Sequence, residues 1–529
     1  MLYRPFARKI ILKIRNVVVS TEFFLTFLMV LIGFLVFLRL ASIRYVNLDV
    51  FSGIWLSVFV FLALNVSQMF VGSFYAVFFP IPKLRERFLK VTPKTAIIYT
   101  VRAESCGLYE RMEYTFRNND LSNCDLWIVS GQASAEFMKY EEEVLYKLRE
   151  RFGDTCVRHL HSEDPEKKKR EMVEEWLEKF GDGYKYFVIC DGDSMLPKNS
   201  VLKLIRKAEH PENQDIAIFQ ASMRIANAKT HYSQLQAIGV KLMIRLSTAT
   251  KQLAFNKALF WGHNALIRRE VFQSVKIPPG VLSHDIWETA YLDRIGYRTV
   301  FCSDVISFEE APTNYLEDKK RMARWARGNL QTIKLIFEPG LSLGMRFYVF
   351  NGVYSYLCNI IFLSWAYSGL FLENSKLWMD LASTRYLMTG VVLSIIFLHK
   401  FAACRSIKDV VNTFYETFIS TIVHLNSLFY VSLILIRLPF LKKKTWVPMK
   451  KIPDETLGFA ETVINFWPST LFGVMSCLIS YYYTPTWGKC SIPILASFVL
   501  TIPTVYLTSR LVQKGDQSLW RKTNPFGGQ

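Results

Sequence analysis

The sequence contains no Cys-x-x-Cys pair, although it has nine cysteines, at positions 106, 124, 156, 190, 302, 358, 404, 477 and 490. This absence excludes a zinc knuckle or a dithiol redox site of the usual spacing. Cysteines scattered in this way are typical of buried residues in a protein of a reducing compartment.

Acidic residues are scarce relative to basic ones, because 45 Asp and Glu stand against 64 Lys and Arg, a net charge of +19. Such an excess is typical of proteins that bind nucleic acid or a membrane surface. No nucleic-acid motif accompanies the charge, so we expect no nucleic-acid partner. With 51% hydrophobic and 15% aromatic residues among 529, the composition favours one domain of ordinary size plus several membrane spans.

Charge is nearly absent from two long apolar runs near the start. Phe23 to Leu40 has no charge before Arg39, and Val50 to Phe79 has none, so each can cross about 30 Å of hydrocarbon as a helix. The first run is too long for a signal-peptide core, so we expect an uncleaved anchor. The basic leader (Arg4 to Arg15) and the basic residues at 83–90 then both face the cytosol. We predict a membrane region at 1–82 and a cytosolic domain at 83–345.

Apolar runs return after this domain, and the resulting C-terminal membrane region is predicted at 346–515, with a cytosolic tail at 516–529. The runs are Phe347 to Leu372, Tyr386 to Leu398, Phe414 to Phe440, Phe466 to Tyr482 and Ile492 to Leu507. Basic tracts at 400–408 and 441–451 should both face the cytosol, yet one span separates them. A single crossing would place the two tracts on opposite sides of the membrane. We therefore predict an interfacial helix or a hairpin near 407–440, and the amphipathic segment Ile407 to Thr421 suits either.

Between the two membrane regions, short apolar runs alternate with charged helical stretches. The runs are Ala96 to Tyr99, Leu126 to Val129 and Tyr186 to Cys190, and the helical stretches are Ala135 to Phe152 and Pro165 to Phe180. This alternation predicts an α/β domain with a mostly parallel sheet. Ligands of such sheets bind at the carboxyl ends of the strands. The loops at 102–106, 130–132 and 191–194 should therefore surround one crevice.

Two carboxylates follow the third of these strands directly, at Asp191 and Asp193. Separated by one residue, both can approach one hard cation, and Mg²⁺ or Mn²⁺ would keep open positions for diphosphate oxygens. A bare Asp-x-Asp pair is more often a turn whose side chains bond their own backbone. Its position after a buried strand favours the metal site.

Asp285 opens a predicted helix after the turn at 278–280. An Asp in this position is commonly a helix cap. In a group transfer that inverts configuration, one carboxylate takes the proton of the acceptor hydroxyl that attacks the donor. Such a base contributes a factor of about 10² to 10⁴ to the rate. We therefore predict that Asp285 is a general base, and that Glu288, one turn later, either orients the site or is solvated.

A basic helix is predicted at 319–329, immediately before the third apolar run. A lone run of this kind is usually a solvated or lipid-facing surface. Here Arg321 and Arg324 share one helical face with Trp325 beside them. Two guanidinium groups and an indole can pair with a diphosphate and stack on a sugar ring, so we predict donor binding by these three residues.

A fourth short stretch contains Trp261, Gly262, His263 and Asn264. An aromatic face next to short hydrogen-bonding side chains suits a sugar acceptor, and we predict acceptor binding by Trp261, His263 and Asn264. A buried histidine with its hydrogen bonds satisfied would give the same pattern.

Taken in chain order, these four features followed by membrane spans resemble the processive family-two glycosyltransferases, which include cellulose and hyaluronan synthases. The segments at 262–268, 283–290, 309–314 and 324–331 look like the bacterial glucosyltransferases of osmoregulated periplasmic glucan synthesis, as does Tyr415-Glu416-Thr417. The likeness covers roughly residues 95–450.

This resemblance implies a GT-A type nucleotide-sugar-binding domain, UDP-glucose as donor, and a β-glucan, β-1,2-linked in that family, passed across the bacterial inner membrane. It also implies that Glu104 helps to hold the nucleotide. Two positions depart from the family pattern, because Ala103 replaces the usual Asn and Gly131 the aspartate expected near Ser130. A different nucleotide therefore stays open, and no carrier protein or periplasmic partner is identified.

Other functions fit parts of the pattern. Transfer of a single sugar to a lipid, or a β-1,4 synthase of the cellulose or hyaluronan type, would use the same residues. A transporter or channel would carry charges in mid-membrane, yet the spans hold almost none. An inactive scaffold has only the departures at Ala103 and Gly131 in its favour.

Overall fold

The computed structural model of the protein describes residues 20–41, 50–104, 106–119, 122–131, 133–164, 167–372, 394–395, 397–440 and 455–512. Several predicted features lie outside these ranges: the basic leader, most of the apolar run from Tyr386, the basic tract at 441–451 and the tail at 516–529. Ser105 and Gln132 of the predicted crevice loops also lie outside them.

A seven-stranded mixed sheet forms the centre of the domain. Its strands are β1 Thr95–Val101, β2 Cys124–Gly131, β3 Val157–Ser162, β4 Tyr186–Asp191, β5 Ile216–Ala226, β6 Ala265–Arg268 and β7 Arg298–Glu310, in the order β3-β2-β1-β4-β6-β5-β7. Only β6 runs antiparallel to its neighbours in the described sheet. The central strands β1, β2 and β4 are buried almost throughout, as near-continuous apolar strands under helices on both faces should be. The predicted α/β class is confirmed.

The helices fall into a group around the sheet and a group of long apolar helices at both ends of the chain. They are α1 Thr21–Ala41, α2 Val50–Phe78, α3 Leu108–Asn118, α4 Ala135–Phe152, α5 Lys169–Phe180, α6 Ser200–Ala208, α7 His231–Met243, α8 Ala249–Phe255, α9 Arg269–Gln273, α10 His284–Arg294, α11 Tyr315–Gln331, α12 Leu343–Ser368, α13 Ile407–Arg437, α14 Phe459–Tyr483, α15 Pro485–Val499 and α16 Thr501–Thr508.

Both faces of the sheet are covered by these helices. On one face α3, α4 and α6 pack an apolar core that includes Met112, Leu148 and Leu204. On the other face α5, α9 and α10 pack a second core around Trp176 and Phe272. The carboxyl ends of β1, β2 and β4 lie side by side between these layers, so the loops that follow them share one edge of the sheet.

Among the described residues, four helices are long and apolar enough to cross a membrane: Ser57–Phe78, Leu343–Phe371, Ile407–Arg437 and Phe459–Tyr483. The shorter apolar helix Thr21–Val36 precedes them. These helices lie on both sides of the sheet domain in sequence, as the predicted membrane protein requires.

The segment at 407–440 differs from its prediction. Instead of a hairpin, α13 is one continuous helix of 31 residues, and an interfacial position for its amphipathic first turns stays a prediction. No Gly or Pro interrupts it, so nothing in the chain provides the turn that a hairpin needs. At 1.5 Å per residue it is about 46 Å long, which exceeds the roughly 30 Å thickness of a hydrocarbon layer. In its first turn lies Asp409. There the side chain of Asp409 pairs with Lys241 of α7.

The last predicted span, Ile492 to Leu507, is broken in two. Helices α15 and α16 meet at Leu500 with a bend of 62°. Pro503 explains the break, because it has no N–H for the Val499 carbonyl and its ring collides with that oxygen. The pair is therefore a broken span or a re-entrant loop.

Candidate active site

The acidic turn after β4 is held by its own backbone. Ser194 donates its N–H to the carbonyl oxygen of Asp191 at 2.9 Å, and its hydroxyl accepts the Asp191 N–H at 2.9 Å. The Asp191 side chain is 37% exposed, at the crevice. Asp193 is buried, and its carboxylate accepts the N–H of Glu310 at 3.3 Å. The two predicted metal ligands are therefore neighbours with different exposure.

A lysine occupies the space next to Asp191. The ammonium of Lys169, the first residue of α5, forms an ion pair with the Asp191 carboxylate and donates to the carbonyl oxygen of Gly262 at 2.6 Å. Lys169 is not among the residues that the sequence predicts for the site. The sequence does contain an indication of its role. A cation in the first turn of a helix interacts unfavourably with the helix dipole, so its presence there suggests another function.

Glu104 lies against the acidic turn, as the resemblance implies. A Cβ atom on Gly192 would come within 2.8 Å of the Glu104 carboxyl carbon, so only glycine allows this approach. Beneath the turn, Arg111 of α3 contacts Glu310 at 2.7 Å. Burial acts to lower the pKa of Arg111, but the carboxylates of Glu310, Asp193 and Glu104 outweigh burial and raise it. Arg111 is a second site residue that the sequence does not single out.

Asp285 reaches the same crevice from the first turn of α10. A Cβ on Gly262 would lie 3.6 Å from the Cβ of Asp285, and Gly262 is the residue to which Lys169 donates. Gly262 has a φ of +83°, which a side chain would strain. Asp191 and Asp285 thus line one crevice, with Lys169 and Gly262 between them.

The environment of Asp285 raises the pKa of its carboxyl group. Burial raises the pKa of Asp285 and the nearby Glu288 carboxylate raises it further, while His284 opposes them. Glu288 is almost fully buried and contacts Arg170 Nε at 2.9 Å and His284 Nδ1 at 3.3 Å. Burial lowers the pKa of His284, but Glu288 outweighs burial and raises it. Glu288 is thus neither solvated nor at the crevice; it orients the Asp285 turn.

The three predicted donor-binding residues of α11 take different positions. Arg324 lies near Asp191: burial and Arg321 lower the pKa of Arg324, and the Asp191 carboxylate opposes that shift. Arg321 donates to Asp318 at 2.8 Å, and its guanidinium lies 4.6 Å from the centre of the Trp325 ring. The Trp325 side chain is half exposed. Arg324 is therefore within electrostatic reach of the Asp191 carboxylate, and Arg321 stacks on Trp325.

The predicted acceptor residues are only partly at the surface. Asn264 is fully buried, donates its N–H to the Ile189 carbonyl at 2.6 Å, and has its amide 3.0 Å from His263 Nδ1. The acceptor contact of Asn264 stays a prediction, and in this structure the side chain is buried while its left-handed backbone ties the loop to β4. His263 is partly exposed and lies 3.2 Å from Glu309. Trp261 packs on Phe301, with ring centres 5.7 Å apart.

Helix α11 packs tightly against the loop that carries Asp285. A Cβ on Gly328 would collide with the hydroxyl of Ser283 and lie 3.2 Å from its Cβ. Three residues later, the Gln331 side chain accepts the N–H of Leu282 at 2.9 Å. Helix α11 therefore fixes the position of the turn that begins α10.

A mostly parallel sheet with an acidic turn at its carboxyl edge, a half-buried carboxylate and an arginine-tryptophan helix is the arrangement expected of a glycosyltransferase domain. Residues 186–435 match the sequence model of the glycosyl transferase family group 2.

The particular relatives confirm the resemblance predicted from the sequence. The chain is 26% identical over 496 residues to Glucans biosynthesis glucosyltransferase H of Pseudomonas fluorescens strain Pf-5, covering 83% of this chain and 56% of that protein. It is 27% identical over 303 residues to the protein of the same name from Bradyrhizobium diazoefficiens, and this match covers 54% of this chain and 40% of that protein. The chain thus spans about half the length of the curated relatives it matches.

Two solved structures are more distantly similar. The mannosyltransferase PcManGT from Pyrobaculum calidifontis, in complex with GDP-Man and Mn²⁺, has a TM-score of 0.48 and 13% identity, covering 72% of this chain and 97% of that one. GalNAc-T7 with UDP, GalNAc and Mn²⁺ has a TM-score of 0.32 and 9% identity, covering 54% and 60%.

The contact between Gly328 and Ser283 gives a first prediction. If Asp285 is the predicted base, we expect Gly328→Ala to lower nucleotide release from a sugar-nucleotide donor by about tenfold or more, because small shifts of such a group are costly. Gly183→Ala is the matched control, since a Cβ at Gly183 would meet no atom within 4 Å. Full turnover in a folded Gly328→Ala protein would show that the Ser283 contact does not set the position of Asp285.

Proposed function

We propose that this chain is an inverting membrane glycosyltransferase that polymerises glucose from UDP-glucose into a β-glucan and passes it across the bacterial inner membrane. The observation that carries the proposal is the arrangement of Asp285 and Asp191 on one crevice, with Arg324 and Lys169 beside the acidic turn. The relatives' name, which speaks of glucans and a glucosyltransferase, supports the sugar and the product class. The β-1,2 linkage rests on the family resemblance alone.

The donor's diphosphate is proposed to lie at the acidic turn. Arg324 and Lys169 would face its oxygens, and charge-assisted hydrogen bonds of this kind are about twice as strong as neutral ones. Glu104, in contact with Gly192, would hold the nucleotide next to the diphosphate. Trp325, half exposed beside Arg321, would stack on a sugar ring.

Asp191 and Asp193 fit a divalent cation in part. No group of three or more His, Cys, Asp or Glu side chains suited to a metal occurs among the described residues. An ion there would take its remaining ligands from the diphosphate and water, as Mg²⁺ commonly does. The Lys169 ammonium beside Asp191 shows that the turn already accommodates positive charge. When bound, Mg²⁺ or Mn²⁺ would neutralise charge on the leaving nucleotide.

Asp285 is proposed to be the general base. In the transfer the acceptor hydroxyl oxygen attacks the anomeric carbon of the donor, the bond from that carbon to the phosphate oxygen breaks, and UDP leaves. Asp285 takes the hydroxyl proton. His263 and Trp261, on the loop that lies against Asp285, would contact the acceptor. The apolar helices that follow α11 would receive the growing chain, with the sheet domain on the cytosolic side.

The donor is tested with the full chain purified in detergent, Mg²⁺, and a panel of UDP-, GDP- and dTDP-sugars, with nucleotide release as the readout. Release from UDP-glucose is expected, and release from the GDP- or dTDP-sugars instead would overturn the donor assignment. Product length, measured from donor and a short primer, separates a polymerase from transfer of one sugar to a lipid, because only processive synthesis gives long chains.

Replacing the proposed base gives the second prediction. Asp285→Asn should keep donor affinity while turnover falls by about 10² or more, because the amide cannot accept the proton. Asp182→Asn changes an exposed carboxylate in a turn of the sheet domain and should leave both values unchanged. Donor affinity is read by nucleotide binding and turnover by UDP release. Equal turnover in Asp285→Asn and the native protein would remove Asp285 from this role.

The contact between Lys169 and Asp191 gives the third prediction. Lys169→Met should raise the KM for the donor by about tenfold or more, because it removes a cation that would face the diphosphate. The neighbouring Lys168, which donates to the Gly280 carbonyl at 3.2 Å, provides the control variant Lys168→Met. If both variants show the same KM as the native protein, Lys169 has no role in donor binding.

A further inference from the structure

A closed cycle of hydrogen bonds joins α7 to the arginine-tryptophan helix α11. Arg321 donates through Nε to one oxygen of Asp318 at 2.8 Å, and its Nη2 lies 2.7 Å from the same oxygen. This Nη2 also donates to the Gln236 side-chain oxygen at 3.2 Å, and Gln236 donates to the Tyr232 hydroxyl at 3.1 Å. Tyr232 completes the cycle by donating to the second oxygen of Asp318 at 2.5 Å. We call these four side chains the Arg321 cluster.

The Arg321 cluster is largely buried. Tyr232 is 2% exposed and Asp318 6% exposed, and the Arg321 side chain is 16% exposed. Burial and the Asp318 carboxylate raise the pKa of Tyr232, so its hydroxyl keeps the proton that it donates. Breaking a buried ion pair leaves an uncompensated charge, which is strongly unfavourable. The cluster therefore holds the Arg321 guanidinium in one place.

Helices α7 and α11 begin side by side. Thr230 caps the start of α7 and donates its hydroxyl to the Thr313 carbonyl at 2.6 Å. The next residue, Asn314, caps the start of α11 by accepting the Glu317 N–H at 3.0 Å. The Arg321 cluster therefore connects the first two turns of α7 to the first two turns of α11.

A second face of α11 packs on the long apolar helices. Tyr315 stacks on Phe466 of α14, with ring centres 5.6 Å apart, and the Lys319 ammonium lies 4.7 Å from the centre of the same ring. Contacts on two faces prevent α11 from rotating about its axis. They therefore determine the direction in which its remaining side chains point.

Trp325 lies on the face of α11 that carries the Arg321 cluster. Asp318, Arg321 and Trp325 are separated by three and then four residues, which places them in one row along the helix. The Arg321 guanidinium is 4.6 Å from the centre of the Trp325 ring, a distance at which a cation is attracted to an aromatic face. Because the indole is half exposed beyond this contact, a sugar can stack on the part that Arg321 does not cover.

We propose that the Arg321 cluster holds the guanidinium against the Trp325 ring, and that Arg321 is a positioning residue for a stacked sugar and not a ligand of the donor's diphosphate. This role deepens the proposed function, because it rests on Trp325 stacking on a sugar ring. An indole held in one rotamer loses less conformational freedom when a sugar binds. Asp318, Gln236 and Tyr232 thus raise the affinity for the sugar without contacting it.

The position of Trp325 can be measured without turnover. The full chain, labelled with fluorotryptophan and purified in detergent, gives one fluorine NMR resonance that is absent from Trp325→Phe and reports on this indole. Asp318→Asn should shift or broaden that resonance, because the guanidinium is no longer held against the indole. An unchanged Trp325 resonance in this variant would overturn the proposal. If Asp318→Asn does not fold, Tyr232→Phe keeps the ion pair, removes only one hydroxyl, and should have the same effect.

The matched control is a second ion pair of the same helix. Lys320 pairs with Glu317 at 2.6 Å with the same spacing of three residues, but the Lys320 side chain is 60% exposed and lies outside the Arg321 cluster. Lys320→Met should leave the Trp325 resonance unchanged, whereas Arg321→Met should shift it. Equal shifts in the two variants would mean that any loss of charge on α11 moves the indole, which would reject a specific role for Arg321.

A double-mutant cycle then separates positioning from a purely structural role. Trp325→Ala shows which KM the indole sets, that for the sugar-nucleotide donor or that for a primer. Asp318→Asn should raise the same KM by about fivefold with little change in kcat, and should have no further effect in a chain that already carries Trp325→Ala, because side chains that act together are not additive. Independent effects of the two substitutions on that KM would overturn the proposal.

The outcomes also distinguish this proposal from the proposed function. Sugar transfer from a donor other than UDP-glucose, with the coupling between Asp318 and Trp325 intact, would reject the donor and support the positioning role. Arg321→Met that raises the donor KM equally with and without Trp325 would make Arg321 a donor ligand and reject the positioning role, even if glucan is made. A Trp325→Ala chain with unchanged KM values would reject both the stacking and the positioning role.

Discussion

The contact between the Lys169 ammonium and the Asp191 carboxylate is the interaction on which the crevice depends. It joins the start of α5 to the end of β4, and the same ammonium holds the Gly262 carbonyl, which places the Asp285 turn opposite. Both side chains are partly exposed, so an ion pair of this kind contributes only about 0 to 1 kcal/mol to stability. Its effect is mainly to bring three loops from distant parts of the chain to one place.

Several carboxylates lie close together in this crevice. Buried arginines that have no proposed role in the reaction stabilise them. Arg111 pairs with Glu310 below the acidic turn, and Arg170 pairs with Glu288 behind Asp285. Both pairs are almost fully buried, and removing one partner of such a pair costs about 3 to 5 kcal/mol. Glu310 and Glu288 are thus committed to buried ion pairs, which leaves Asp191 and Asp285 as the carboxylates proposed to serve a ligand.

The long apolar helices and the sheet domain are connected next to the site. Helix α11 lies on the Asp285 loop through Gly328 and Gln331, and α12 follows it after a short connection. Helix α13 reaches back to α7, where Lys241 pairs with Asp409. The proposed donor and acceptor residues therefore lie where the sheet domain meets the apolar helices.

The sequence alone determined the features that depend on local pattern. Apolar runs predicted the strands β1, β2 and β4, the first helices and the mostly parallel sheet, because a strand buried on both faces must be apolar throughout. Position at the end of a strand or the start of a helix was enough to single out Asp191 and Asp285. The hairpin predicted near 407–440 was wrong. It was inferred from two basic tracts expected on the same side of the membrane, whereas the segment has no Gly or Pro and α13 continues through it.

Tertiary structure alone decided which side chains face the crevice. Asn264 has the residue type of a sugar ligand, but its backbone continues the hydrogen bonding of β4 and buries it. Lys169 and Arg111 lie in ordinary charged helices, and only the packing of α5 and α3 on the sheet brings them beside the acidic turn. The physical reason is that local pattern specifies the face a residue takes within its element, whereas the element's neighbours determine what that face contacts.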